Sequence, residues 1–217
     1  MLRSMYYTLV AFISCSMILS ACGVKEKSPK DTGPSQIAQV SCIAVLPAAS
    51  MQSEQVVPVY IPDEKSDRVG VQAMNEILSD ELGGKDKIRF IGLDQIGALD
   101  ITGGENSLVL ARMVGERVNC NAVLESSVKR FKERVGGRYS VETPASVAFE
   151  MRLIFLDKGS VIWSAKFDES QKSVMENILE WKKANTRGFV WISAEELMRE
   201  GVKAKLAYSP YFNPEVK

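Results

Sequence analysis

Ala145-Ser-Val-Ala-Phe-Glu-Met-Arg-Leu-Ile-Phe155 is the stretch that decides the fold. Ala145, Val147, Phe149, Met151, Leu153 and Phe155 alternate with Ser146, Ala148, Glu150, Arg152 and Ile154. A period of two held over 11 residues is that of a strand with one face on an apolar core. Asp157-Lys-Gly-Ser160 reads as a turn, after which Val161, Trp163, Ala165 and Phe167 alternate again. The pair predicts an antiparallel hairpin.

Toward the N-terminus the period changes. Residues 122–135 predict a longer, more polar strand. Before it, Leu110, Ala111, Val114 and Val118 share one face of a helix that Asn106 can cap. Ile88 to Leu93 is a short strand. Val71, Met74, Leu78 and Leu82 mark a helix that Ser66 or Asp67 can cap and Gly83-Gly84 ends. Val40-Ser-Cys-Ile-Ala-Val-Leu-Pro47 opens the folded part as a short buried strand stopped by proline. A long loop at 48–65 holds Pro58 and Pro62, with an extended piece at 56–61.

Toward the C-terminus, Val174, Ile178 and Trp181 give a helix at 171–184. Ser193-Ala-Glu-Glu196 is a capping box opening a last helix that runs to about Ala207. The order strand, helix, strand, helix, strand, hairpin, helices predicts one α/β domain. Its sheet is mixed, with a parallel start, a C-terminal antiparallel hairpin and flanking helices.

The first residues follow a different logic. Arg3 is the only charge before an apolar run from Met5 to Leu19, which ends in Leu19-Ser-Ala-Cys22. A basic start, a short apolar run and small residues before a cut describe a secretory signal, and the run falls short of the ~20 residues of a membrane span. Leucine three places before a cysteine resembles the bacterial lipobox. That resemblance implies cleavage between Ala21 and Cys22, and acylation of Cys22 by palmitate-class chains. Several chains anchor stably where a single one is marginal. By the enterobacterial sorting pattern, Gly23 after the cysteine implies the outer membrane. Residues 22–39 are polar, hold Pro29 and Pro34, and read as a lipidated flexible tether. The organisation is thus signal at 1–21, tether at 22–39 and periplasmic domain at 40–217.

Composition narrows the function. The chain has 27 basic and 27 acidic residues, so no basic excess attracts nucleic acid. It has no histidine, which removes Ser-His-Asp and Cys-His nucleophile sets and every histidine metal site. No metal, cofactor or catalytic set is expected. Gly103-Gly-Glu105 lacks the residues of a phosphate loop. Gly136-Gly-Arg138 reads as a strand-end turn. Asp63, Glu64 and Asp67 match no calcium loop. Glu195 and Glu196 fit a helix first turn, where acids offset the dipole. Cys42 and Cys120 each open a predicted strand at the same end of a parallel sheet. They can close a disulfide in an oxidising periplasm, or pack as two small buried thiols. Trp163, Trp181, Phe189, Trp191, Tyr208, Tyr211 and Phe212 serve either core packing or a partner surface.

The strand ending Ile43-Ala-Val-Leu-Pro47, Asn121-Ala-Val-Leu-Glu125 entering a long strand, and Gly159-Ser-Val-Ile-Trp163 together resemble a group of bacterial lipoproteins. These are the relatives of the curli-secretion channel (CsgG-like) and of the penicillin-binding-protein activator LpoB. The resemblance spans roughly 40–207. It implies a lipid-anchored, non-catalytic domain that binds envelope proteins, and self-association in its ring-forming members. The expectation is an outer-membrane accessory or assembly factor facing the periplasm. The alternative is a subunit of an oligomeric secretion channel, for which the strands at 122–167 leave room.

Overall fold

The computed structural model describes residues 39–51, 60, 64–98, 107–137, 140–171, 191–213 and 215–216. The signal, Cys22 and the tether up to residue 38 lie outside the described residues. So do the extended piece predicted at 56–61 except Tyr60, the cap at Asn106, Gly103-Gly-Glu105, Asp63, Arg138, Phe189 and all but Gln171 of the helix predicted at 171–184.

The elements are β1 (Ile43–Val45), β2 (Ala49–Ser50), α1 (Lys65–Leu82), β3 (Ile88–Phe90), α2 (Leu93–Gly97), α3 (Ser107–Val118), β4 (Ala122–Lys132), β5 (Val135–Gly136), β6 (Val141–Thr143), β7 (Ser146–Phe155), β8 (Ser160–Ser170) and α4 (Ala194–Ala207). The main sheet runs β3-β1-β4-β7-β8, with β2 also on β4. β3, β1, β2 and β4 are parallel, whereas β7 and β8 are antiparallel neighbours. The fold is the mixed α/β sheet that the periodicity predicts.

Two clusters of buried side chains flank the sheet. Val147, Phe149, Met151, Leu153 and Phe155 of β7 meet Met74, Ile77 and Leu78 of α1 and Leu197, Met198 and Val202 of α4. On the other face Ala44, Leu46, Val123 and Ile154 meet Leu110, Ala111 and Val114 of α3 and Ile96 of α2. A buried Leu, Ile or Phe contributes about 1.5–3 kcal/mol relative to exposure, so these faces hold the helices down. α4 comes close enough that a Cβ on Gly201 would meet the Phe167 ring at 2.9 Å.

Several expectations shift. α1 begins at Lys65 with Glu64 as its N-cap and no side-chain cap. The expected caps are engaged elsewhere: Ser66 Oγ donates to Glu64 (2.9 Å), and Asp67 accepts from Ser50 Oγ (2.8 Å). The strand at 88–93 stops at Phe90, and Leu93 starts α2. Val135 leaves β4 for a separate small hairpin with β6, and Gly136 there has φ 112°. Val161 drops out of the inward row. The register slips between Leu153 and Ile154, so Leu153 faces Trp163 while Ile154 faces Val161. Such a bulge moves one residue across the sheet, and Val161 is half exposed while Ile162 packs on the core. The capping box stands as expected: Glu196 N donates to Ser193 Oγ (3.1 Å) and Ser193 N to Glu196 (2.9 Å).

Candidate functional site

Two constructions on β4 stand out from the apolar framework. The first lies where the chain enters the sheet. Because β1 and β4 are parallel and Ile43 is in register with Ala122, residues 39–42 run beside 120–121. Asn121 Oδ1 accepts from Ser41 N (3.0 Å) and Cys42 N (3.4 Å), and its Nδ2 donates to the Gln39 carbonyl (2.6 Å). Cys42 and Cys120 are joined as a disulfide with Cα atoms 4.6 Å apart. Asn119, with φ 53°, turns the chain out of α3, and Cys120 N donates to the Gly115 carbonyl (2.9 Å). A Cβ on Gly115 would meet the Cys120 carbonyl at 2.9 Å and Leu156 Cδ1 at 2.1 Å, so only glycine fits this approach. A cavity of about 420 Å³ opens beside Cys120, lined by Arg112, Glu116, Asn119, Asn121 and Asp157 among others.

The second construction is a carboxylate inside the sheet. Glu125 is 13% exposed. Arg152 Nη2, opposite it on β7, donates to Oε2 at 2.8 Å, and Ser107 Oγ, on the first residue of α3, donates to Oε1 at 2.8 Å. Burial pushes the Glu125 carboxyl above its ordinary range, against the lowering effects of Ser107 and Arg152. Tyr60 is also raised, first by burial and then by the negative charge of Glu125. Both carboxylate oxygens are already engaged, so the group serves as a tie between α3 and the sheet.

Beyond it, the α3 side of the sheet becomes a row of ion pairs. Glu150 sits between Lys129 (2.8 Å) and Lys166 (3.8 Å), and Arg130 pairs with Asp168. Burial acts upward on Glu150, but the hydrogen bond and charge of Lys129, with Lys166 and Arg152, outweigh it and hold the carboxyl below its ordinary range.

Other flagged residues have structural positions. Trp163 meets Phe212 edge-on with centroids 5.5 Å apart, and Phe149 stacks on Phe167 at 5.1 Å. Tyr211 packs at the rim of the same cluster, whereas Tyr208 is exposed. Gly136 and Gly137 sit at the β5–β6 hairpin, where Gly137 N donates to the Ser140 carbonyl (2.7 Å). Glu196 closes the capping box, and Glu195 accepts from Arg199 (3.2 Å). Among the described residues no group of three Cys, Asp or Glu side chains is gathered to hold a metal ion. None of the described helices is long and apolar enough to cross a membrane.

Asn121 and Glu125 carry this geometry, yet composition and spacing assign neither a role. Their one signal is position, since each interrupts or adjoins the apolar run Ala122-Val-Leu124.

No family model and no curated protein matches the chain. Among solved structures, the chain is similar to PelC from Paraburkholderia phytofirmans, crystallised as a dodecamer. The identity is 15% over 77% of this chain and 86% of that one, with a TM-score of 0.44. It is similar to the C-terminal domain of LpoB from Escherichia coli at 15%, covering 72% and 92%, with a TM-score of 0.37. It is also similar to a lipoprotein from Neisseria meningitidis at 15%, covering 67% and 95%, with a TM-score of 0.37. LpoB thus stands among the similar structures, whereas the curli-channel half of the resemblance finds no support there. These likenesses are distant, and the fold stands on the sheet's own order and register.

Proposed function

We propose that this protein is a lipoprotein of the bacterial envelope, held by acyl chains on Cys22 and facing the periplasm from the outer membrane. Its domain serves as a non-catalytic, protein-binding accessory or assembly factor. The observation that carries the reading is Leu19-Ser-Ala-Cys22 closing an apolar run too short to span a bilayer. The domain's own chemistry agrees with a binding role. The buried Glu125 carboxylate is tied to a guanidinium and a hydroxyl, and the chain has no histidine to act as a base near neutral pH. Between residues 122 and 170 the long strands are built into the domain's own sheet, with one face on the apolar core. That placement lends the channel alternative no support, and it is not taken further.

The test is metabolic labelling with a radiolabelled or alkynyl palmitate in cells expressing the wild type or Cys22→Ala, followed by density separation of the two membranes. Label on the wild type alone, in the outer-membrane fraction, is the expected result. An unlabelled wild type would overturn the anchor. Cross-linking in intact envelopes then separates the roles: one or two distinct envelope proteins are expected, and a ladder of self-multiples would revive the ring.

A further inference from the structure

The residues just before β1 have few ladder partners of their own, yet their main chain is gripped from one point. A primary amide side chain offers two donor hydrogens and a carbonyl with two lone pairs. Asn121 uses this capacity on three main-chain groups of the entering chain: the Gln39 carbonyl and the amides of Ser41 and Cys42. The gripping side is itself fixed. The Asn121 carbonyl accepts from Leu156 N (3.0 Å), and Ala122 N donates back to the Cys42 carbonyl (3.1 Å). Cys120 is held by the end of α3 through Gly115, as above. The disulfide crosses at the same place, with a Cα separation inside the range that such a bond accepts. Covalent bond and amide therefore meet at Cys42.

We infer that Asn121 and the Cys42–Cys120 bond form one clamp, which fixes the point where the N-terminal segment leaves the domain and stops β1 from fraying at that end. The inference rests on reading residues 22–39 as a tether, since a tether is what gives a fixed exit point a use. Closing the clamp takes two protons and two electrons from the two thiols. They pass to a disulfide oxidant, which leaves as its own dithiol.

Amide hydrogen exchange on the full chain in detergent, read by mass spectrometry, tests this. In Asn121→Ala, exchange at Ser41 and Cys42 is expected to quicken about tenfold, the effect of losing roughly one hydrogen bond each, with α1 and α4 unchanged. Asn121→Asp keeps the acceptor and loses the donor, so protection at 41–42 is expected to persist and that variant guards against misfolding of the first. Cys42→Ser with Cys120→Ser, or the wild type treated with a dithiol reductant, is expected to extend fast exchange through 39–45. Asn75→Ala is the control: Asn75 Oδ1 accepts from Ala48 N (2.7 Å), beyond the clamp, and should leave 39–42 protected. Unchanged exchange at 39–45 in all variants would overturn the clamp, and so would an even increase over α1 and α4, which reports only general stability. Exchange at these amides is read whether or not Cys22 carries lipid, so failure of the anchor and failure of the clamp appear in different experiments.

Discussion

The two faces of β7 differ along the same ten residues. The face turned to α1 and α4 is apolar from Val147 to Phe155, whereas the opposite face begins with Ile154 and changes to Arg152 and Glu150. Cover explains the difference. α3 reaches the Ile154 end, and an apolar side chain is buried there. Farther along, among the described residues, the strand meets cross-strand charges from β4 and β8. The same rule shows in β1, where Ala44 and Leu46 face α3 while Ile43 and Val45 face α1, and the sequence runs apolar without alternation. The apolar positions therefore follow where α1, α3 and α4 pack on the strands.

Substitutions at this boundary can break the contrast. Phe149→Ala, on the apolar face at 1% exposure, is expected to cost about 3–5 kcal/mol in urea unfolding, with the slope unchanged. Arg152→Met probes the transition point. It leaves Glu125 buried without its cation, at a cost of about 1–3 kcal/mol. That is less than a fully buried pair would lose, because Arg152 is 41% exposed.

Glu125 and Glu150 sharpen the comparison through pH. Glu125 is raised on folding, so its contribution is greatest below its unfolded value and is lost as pH rises through the folded one. Glu125→Gln should therefore gain stability relative to wild type as pH climbs from the ordinary carboxylate value of 4.5 toward neutral. Glu150 is lowered, so its contribution is present above that value and fades as pH falls through the folded one. Glu150→Gln should lose about 0.5–1 kcal/mol at neutral pH and nothing in acid. Thermal melts of both variants across pH must tilt in opposite directions. Parallel tilts would mean that burial does not distinguish the two acids. Lys166→Ala, on the outermost strand of the row, is expected to change stability by no more than about 0.5 kcal/mol, checked in the same melts.

Most of the architecture is legible in the sequence because it is written locally. The hairpin has its period and its turn, and α4 has its capping box within four residues, 193–196. What escaped was either too short or too distant. α2 is only five residues long and shows no period. The bulge hides in Val161-Ile-Trp163, where three apolar neighbours give no sign of which one is displaced. Ser66 and Asp67 are both capping residues by type, but Ser50, far away in the chain, engages the latter. Asn121 grips residues some 80 positions away, and nothing in its own neighbourhood records them.

The place of β1 has a consequence for the order of folding. The first strand of the domain lies between β3 and β4, so it has no complete slot until both have emerged, and its disulfide partner follows 78 residues later. β4, β7 and β8 need only each other in sequence and can pair as neighbouring segments arrive. A chain that emerges N-terminus first must therefore hold Ile43-Ala-Val-Leu46 without its β4 neighbour until residues 122–124 have followed. Non-local parallel pairing of this kind is slow, and the waiting strand is the segment most open to wrong association. Once β1 is seated, the bond closes a loop that removes about 4–5 kcal/mol worth of freedom from the unfolded chain. The strand that must wait for its partners is thereby also the one a covalent bond retains.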